Sequence, residues 1–122
     1  MREARVANDE VALDLACGTG DIAILVRAQG AGLVIGVDLT PRMLALARAK
    51  GDGVRYAAGD MGALPLPASS VDLVTTGYGL RNVPDLDVAL AEIARVVKPG
   101  GRLLSLDFSR PDPAIVRGLY LW

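Results

Sequence analysis

The chain has no histidine, a single cysteine, and in 122 residues only three Tyr, one Trp and one Phe. Without histidine, the side chain that most often moves protons near neutral pH is missing, so any general base must be another residue type. Cys17 alone allows no internal disulfide and suits a reducing compartment, which makes the cytoplasm the expected location. An excess of charge of one sign is also absent. Thirteen Lys and Arg stand against fourteen Asp and Glu, a net charge of −1, so there is no electrostatic footprint for nucleic acid. No apolar run approaches the roughly 20 residues of a membrane span, and the charged amino end lacks the apolar core of a signal peptide. The length suits one domain with a single core, small for an enzyme that must also enclose a substrate.

What the chain does have is aliphatic. With 52% hydrophobic residues and so few aromatics, Ala, Val and Leu are expected on both faces of a parallel sheet. Apolar strand-like runs near 11–16, 33–38, 54–58, 71–76 and 102–108 alternate with helix-like runs near 20–29, 41–50 and 84–97. Such alternation means βαβ units, an α/β fold with a doubly wound, Rossmann-like parallel sheet. Right-handed crossovers give the strand order 3-2-1-4-5. In the last helix Leu86, Leu90, Ile93 and Val97 form the expected core stripe, Glu92, Arg95 and Lys98 point outward, and Pro99-Gly100-Gly101 is the stop.

Asp14-Leu15-Ala16-Cys17-Gly18-Thr19-Gly20 puts a carboxylate at the end of an apolar run and a glycine turn behind it, leading into Asp21. Gly18 and Gly20 fall where the chain must turn tightly and let a ligand approach the backbone. The stretch satisfies the dinucleotide pattern G-x-G-x-x-G/A, but a pyrophosphate at the helix amino end would face Asp14 and Asp21. S-adenosylmethionine brings a sulfonium and an ammonium instead, for which those carboxylates are favourable partners. Twenty residues past Gly18, Asp38 closes the second strand, where ribose hydroxyls are read in nicotinamide enzymes and methyltransferases alike. Thr40 with Pro41 is the expected helix cap, leaving Asp38 free for the ligand.

Ligands of such sheets bind at the carboxyl ends of the strands, near the switch point. After strand 3, Gly59-Asp60-Met61 reads equally well as a turn with a gap-filling Met or as an adenine site, Asp60 accepting from the amino group and Met61 covering the ring. After strand 4, residues 75–83 hold two glycines, Tyr78, Arg81 and Asn82, more than a turn requires.

Through 14–21, Asp38, 59–61 and Lys98-Pro99-Gly100-Gly101-Arg102-Leu103 the chain resembles the class I S-adenosylmethionine-dependent methyltransferases. Through Gly79-Leu80-Arg81-Asn82-Val83 and Leu106-Asp107-Phe108-Ser109-Arg110-Pro111 it looks like their ubiquinone/menaquinone biosynthesis C-methyltransferases. The resemblance implies S-adenosylmethionine as methyl donor, no metal, and a demethylated polyprenyl quinol whose ring carbon is methylated. It also implies a donor site of Asp14, Gly18, Thr19, Gly20, Asp38 and Leu39, with Asp60 and Met61 beside the adenine and Gly77 near the transferred methyl group. Tyr78 and Arg81 are the expected catalytic residues on the acceptor side. For Arg81 a structural ion pair is an equal alternative; as base, the residues leave Tyr78, Arg81 through a water, an aspartate, or a group outside this chain. Family members carry an amino-terminal helical segment and further elements after the fifth strand, so the core is expected to be truncated at both ends. The apolar residues 114–122 are then expected to support self-association, and the quinol tail a peripheral membrane contact.

Overall fold

The computed structural model describes residues 6–51, 53–77 and 83–105. Five strands, β1 (Val11–Leu15), β2 (Leu33–Asp38), β3 (Arg55–Ala58), β4 (Val71–Thr76) and β5 (Val97–Ser105), form one parallel sheet in the order 3-2-1-4-5. The helices α1 (Asp21–Ala28), α2 (Pro41–Arg48) and α3 (Leu86–Val96) connect them. Because successive side chains of a strand point to opposite faces, β1 feeds two cores. Leu13 and Leu15 join Val74, Ile93 and Val96 beneath α3, while Ala12 joins Ala23, Val26, Val34 and Leu73 beneath α1. Asp14 shares parity with Ala12, so its carboxylate lies on the α1 face.

The last helix and strand differ from expectation. The helix begins at Leu86, not near 84, with Asp85 as N-cap accepting from the Val88 N–H at 3.2 Å. Its buried residues are Ala89, Ile93 and Val96, while Leu86 is 47% exposed and Val97 already belongs to β5. Pro99-Gly100-Gly101 therefore does not end the helix; it forms an excursion within the strand. Val97 pairs with Val71 and Arg102 with Leu73, so residues 98–101 stand opposite the single residue Asp72, with Gly100 at φ +82°. Glu92 and Arg95 do not simply face water. Glu92 accepts from the Leu64 N–H at 2.6 Å, and Arg95 donates to the Leu64 and Leu66 carbonyls, so the pair fastens the loop after β3 to α3. No helix among the described residues is long and apolar enough to cross a membrane. The expected stretch 106–108 of the fifth strand, and the apolar residues 114–122, lie outside the described residues.

Candidate functional site

Two cavities open side by side at the carboxyl ends of the strands and share Ala16. The first, about 230 Å³, is lined by Val37, Asp38, Leu39, Thr40, Gly59, Asp60, Met61, Val83 and Pro84 as well. The second, about 400 Å³, is lined by Asp14, Cys17, Gly18, Thr19, Asp21, Ile22 and Gly77. The chain between β1 and α1 separates them, in a conformation that ordinary side chains resist. Ala16, Gly18 and Gly20 have φ of +51°, +55° and +89°, and a non-glycine residue held there marks stored strain of the kind found at ligand sites. Gly20 also caps α1 and bonds back to Cys17 at 2.9 Å.

Asp14 is buried on β1. Its Oδ1 accepts from the Thr75 hydroxyl at 2.8 Å, and its Oδ2, equally buried, has no hydrogen-bond partner among the described residues. Burial pushes its carboxyl up to about 7; the Thr75 bond and the Ala23 N–H oppose that rise, and the Asp38 charge adds to it. Burial, with the charges of Asp14 and Asp38, pushes the Cys17 thiol up to about 12, so it is a small buried group rather than a nucleophile.

Asp38 is not free of backbone duties, contrary to the sequence reading. Its Oδ2 accepts from the Gly18 N–H and its Oδ1 from the Thr40 N–H, both at 2.8 Å. Thr40 stands at the N-cap with no side-chain bond of its own. The carboxylate thus ties the glycine turn of β1 to the start of α2, and Asp38 lines the first cavity with a second lone pair left on each oxygen. Asp21, read as facing the ligand, is ion-paired with Lys50 at 2.8 Å on an exposed rim. Asp60 closes a turn, its Oδ1 accepting from the Gly62 N–H at 2.9 Å. Met61 is buried against the α3 core and also lines the first cavity. Leu39 is 69% exposed at the mouth of that cavity. Tyr78 and Arg81 lie outside the described residues.

Residues to which the sequence assigns no individual role complete the site. Ala16 separates the cavities, Thr75 holds Asp14, and Val83 with Pro84 walls the first cavity. Tyr56 of β3 lays its ring against Gly36 and reaches Gly20, positions where a Cβ would collide with it. Only the parallel alignment of β1, β2 and β3 brings these residues together; a β-strand tyrosine carries no such signal alone.

Comparison with known proteins places this geometry. An S-adenosylmethionine-dependent methyltransferase from Mesorhizobium loti superposes with a TM-score of 0.78 at 32% identity, over 85% of this chain and 50% of that one. The fold is that of the class I S-adenosylmethionine-dependent methyltransferases. The chain belongs to the ubiE/COQ5 methyltransferase family, whose model matches residues 1–122. It is 42% identical to the demethylmenaquinone methyltransferase of Lactiplantibacillus plantarum, over all of this chain and 55% of that protein. It is 45% identical to the ubiquinone/menaquinone biosynthesis C-methyltransferase UbiE of Acidiphilium cryptum, over 88% of this chain and 46% of that protein. The chain spans about half the length of the curated relatives it matches.

Proposed function

We propose that this chain is the donor-binding core of an S-adenosylmethionine-dependent C-methyltransferase acting on a demethylated polyprenyl quinol in menaquinone or ubiquinone biosynthesis. The observation that carries the reading is the buried, unpartnered Oδ2 of Asp14 on the second cavity, beside a first cavity bordered by Asp38 and Asp60. A buried carboxylate oxygen without a donor is costly, and an ammonium relieves that cost where a pyrophosphate would add to it. Bound S-adenosylmethionine supplies a methyl group on a sulfonium, open to in-line displacement.

The chain's own part is to bind and to orient. Asp14 takes the ammonium, Asp38 offers its remaining lone pairs to the ribose hydroxyls, and Leu39, Met61 and Val83 cover the adenine while the second oxygen of Asp60 accepts from its amino group. Gly18, Thr19 and Gly20 keep the backbone close to the amino-acid end, and Gly77 leaves room at the end of β4 for the reacting carbons to meet. Holding them at near-attack distance with water excluded is most of what a protein can add to such a displacement. Arg81 holds the ionised ring hydroxyl by a charge-assisted bond, and Tyr78 packs against the ring. A polyprenyl tail places the acceptor at a membrane, so cytoplasmic protein in peripheral contact with the lipid surface follows from this substrate.

Calorimetry with S-adenosylmethionine, S-adenosylhomocysteine and NADH, followed by a methyl-transfer assay with demethylmenaquinol, tests the reading. Both S-adenosyl compounds should bind and NADH should not, with methylated quinol as product. NADH binding in their place would overturn it. Donor binding without transfer would assign to this span the donor half of the reaction alone.

A further inference from the structure

We infer that Thr75 is the positioning residue that presents Asp14 to the ammonium of the donor: its hydroxyl ties down one oxygen of a carboxylate that lines the second cavity and leaves the other oxygen without a partner among the described residues. This role rests on the donor reading above. Asp14 and Thr75 are register partners on adjacent parallel strands, point to the same face of the sheet, and are both fully buried. The Thr75 Oγ1 donates to Asp14 Oδ1 at 2.8 Å, so the carboxylate cannot rotate without losing its hydrogen bond, and Oδ2 is left buried without a hydrogen bond among the described residues. A plain packing role needs only the methyl group of Thr75; the hydroxyl is explained by the carboxylate.

The neighbours of Asp14 make that hydroxyl matter. Cys17 beside the turn, neutral at physiological pH, brings no positive charge. Asp38 at the end of β2 is a like charge. Asp21 on α1 is also acidic and is engaged by Lys50 at the rim. Burial already pushes Asp14 up to about 7, and the Thr75 bond acts against that push. Thr75 therefore favours the ionised form of Asp14, the form that attracts an ammonium.

The test is the pH dependence of binding for two ligands that share the nucleoside: S-adenosylhomocysteine, which has the ammonium, and 5′-methylthioadenosine, which lacks it. In the unaltered chain, calorimetry should show the first weakening as pH falls through about 7 and the second nearly constant. Thr75→Val keeps the shape and removes the donor; it should shift the midpoint for S-adenosylhomocysteine upward and weaken its binding at pH 7 about tenfold, leaving methylthioadenosine unchanged. Thr75→Ser should restore the original midpoint, and Thr75→Ala replaces the valine variant should that one not fold. Equal weakening of both ligands with an unmoved midpoint would overturn the positioning role while leaving the donor site intact. Failure of both ligands to bind the unaltered chain would overturn the donor reading and this role together.

Discussion

The two ends of the sheet use their charged and polar groups in opposite ways. At the amino ends, Glu10 accepts from the Ala7 N–H and pairs with Arg102, and Asp72 of β4 accepts from the Val11 N–H at 2.8 Å and pairs with Lys98 at 3.4 Å. Those carboxylates close the starts of β1, β4 and β5 onto one another. At the carboxyl ends, Asp14 Oδ2 and Thr76 Oγ1 are buried without partners among the described residues, and three residues of the β1–α1 turn have positive φ. One end holds its carboxylates in hydrogen bonds and ion pairs within the fold; the other leaves a buried carboxylate oxygen and a hydroxyl unmet, which a ligand can relieve. Substitutions at the amino end should therefore cost stability and spare binding, whereas some at the carboxyl end should cost binding and raise stability.

Asp14→Asn is the strongest way to break that comparison. Because burial raises the Asp14 carboxyl from 3.8 to about 7, the folded state holds its proton more tightly than the unfolded state does. Stability from this group is then greatest at low pH and falls as pH rises from about 4 to about 7, a loss of at most about 4 kcal/mol. The neutral amide should remove this slope, leaving the variant more stable than the parent at pH 8 while it binds S-adenosylhomocysteine more weakly by about 1.5–3 kcal/mol. Chemical denaturation at several pH values checks the first half and calorimetry the second. A variant less stable at pH 8 would mean that Asp14 serves the fold as Asp72 does.

The glycine turn gives the next largest effect. Gly20 sits at φ +89° with the Tyr56 hydroxyl where a Cβ would go, and Ala47 Cβ and Tyr56 Cζ each 3.2 Å from that point. Gly18, at φ +55°, has open space around its Cβ direction. Gly20→Ala adds overpacking to backbone strain and should cost about 2–4 kcal/mol, against about 1 kcal/mol for Gly18→Ala. Tyr56→Phe should recover part of the Gly20→Ala loss but little of that from Gly36→Ala, whose Cβ meets the ring carbons at 2.8 and 2.9 Å. Equal costs at Gly18 and Gly20 in denaturation would show that Tyr56 does not brace the turn.

Local pattern made the sheet legible, and contacts between distant segments hid much of the rest. The alternation of apolar runs marks the five strands and the turn at Gly18 and Gly20, because each depends on residues within one βα unit, and the right-handed crossover rule supplies their order. The double duty of Asp38 was hidden, since its bond to the Gly18 N–H exists only once β1 and β2 lie side by side. Periodicity assigned Glu92 and Arg95 to water because nothing near them in sequence announces that residues 64–66 fold over α3. Pro99-Gly100-Gly101 reads as a helix stop by composition, yet Val97 had already entered the sheet. Thr75 looked like the start of a loop, and only its register with Asp14 reveals what its hydroxyl holds.

The smallest effect tests the amino end. Asp72→Ala removes the acceptor of the Val11 N–H and the partner of Lys98. The ion pair with Lys98 is partly exposed, so its loss alone contributes less than about 1 kcal/mol. The larger part comes from the Val11 N–H, left at the start of the central strand without its carboxylate, and brings the total to about 1–3 kcal/mol. Asp72→Asn keeps an acceptor for that N–H and should recover most of the loss, which separates the hydrogen bond from the charge. Calorimetry on both variants should return the parent affinity for S-adenosylhomocysteine, because Asp72 lies at the opposite end of β4 from Thr75 and Thr76. A weakened ligand with unchanged stability would mean that the two ends of the strand are coupled, and that the division of labour between them is false.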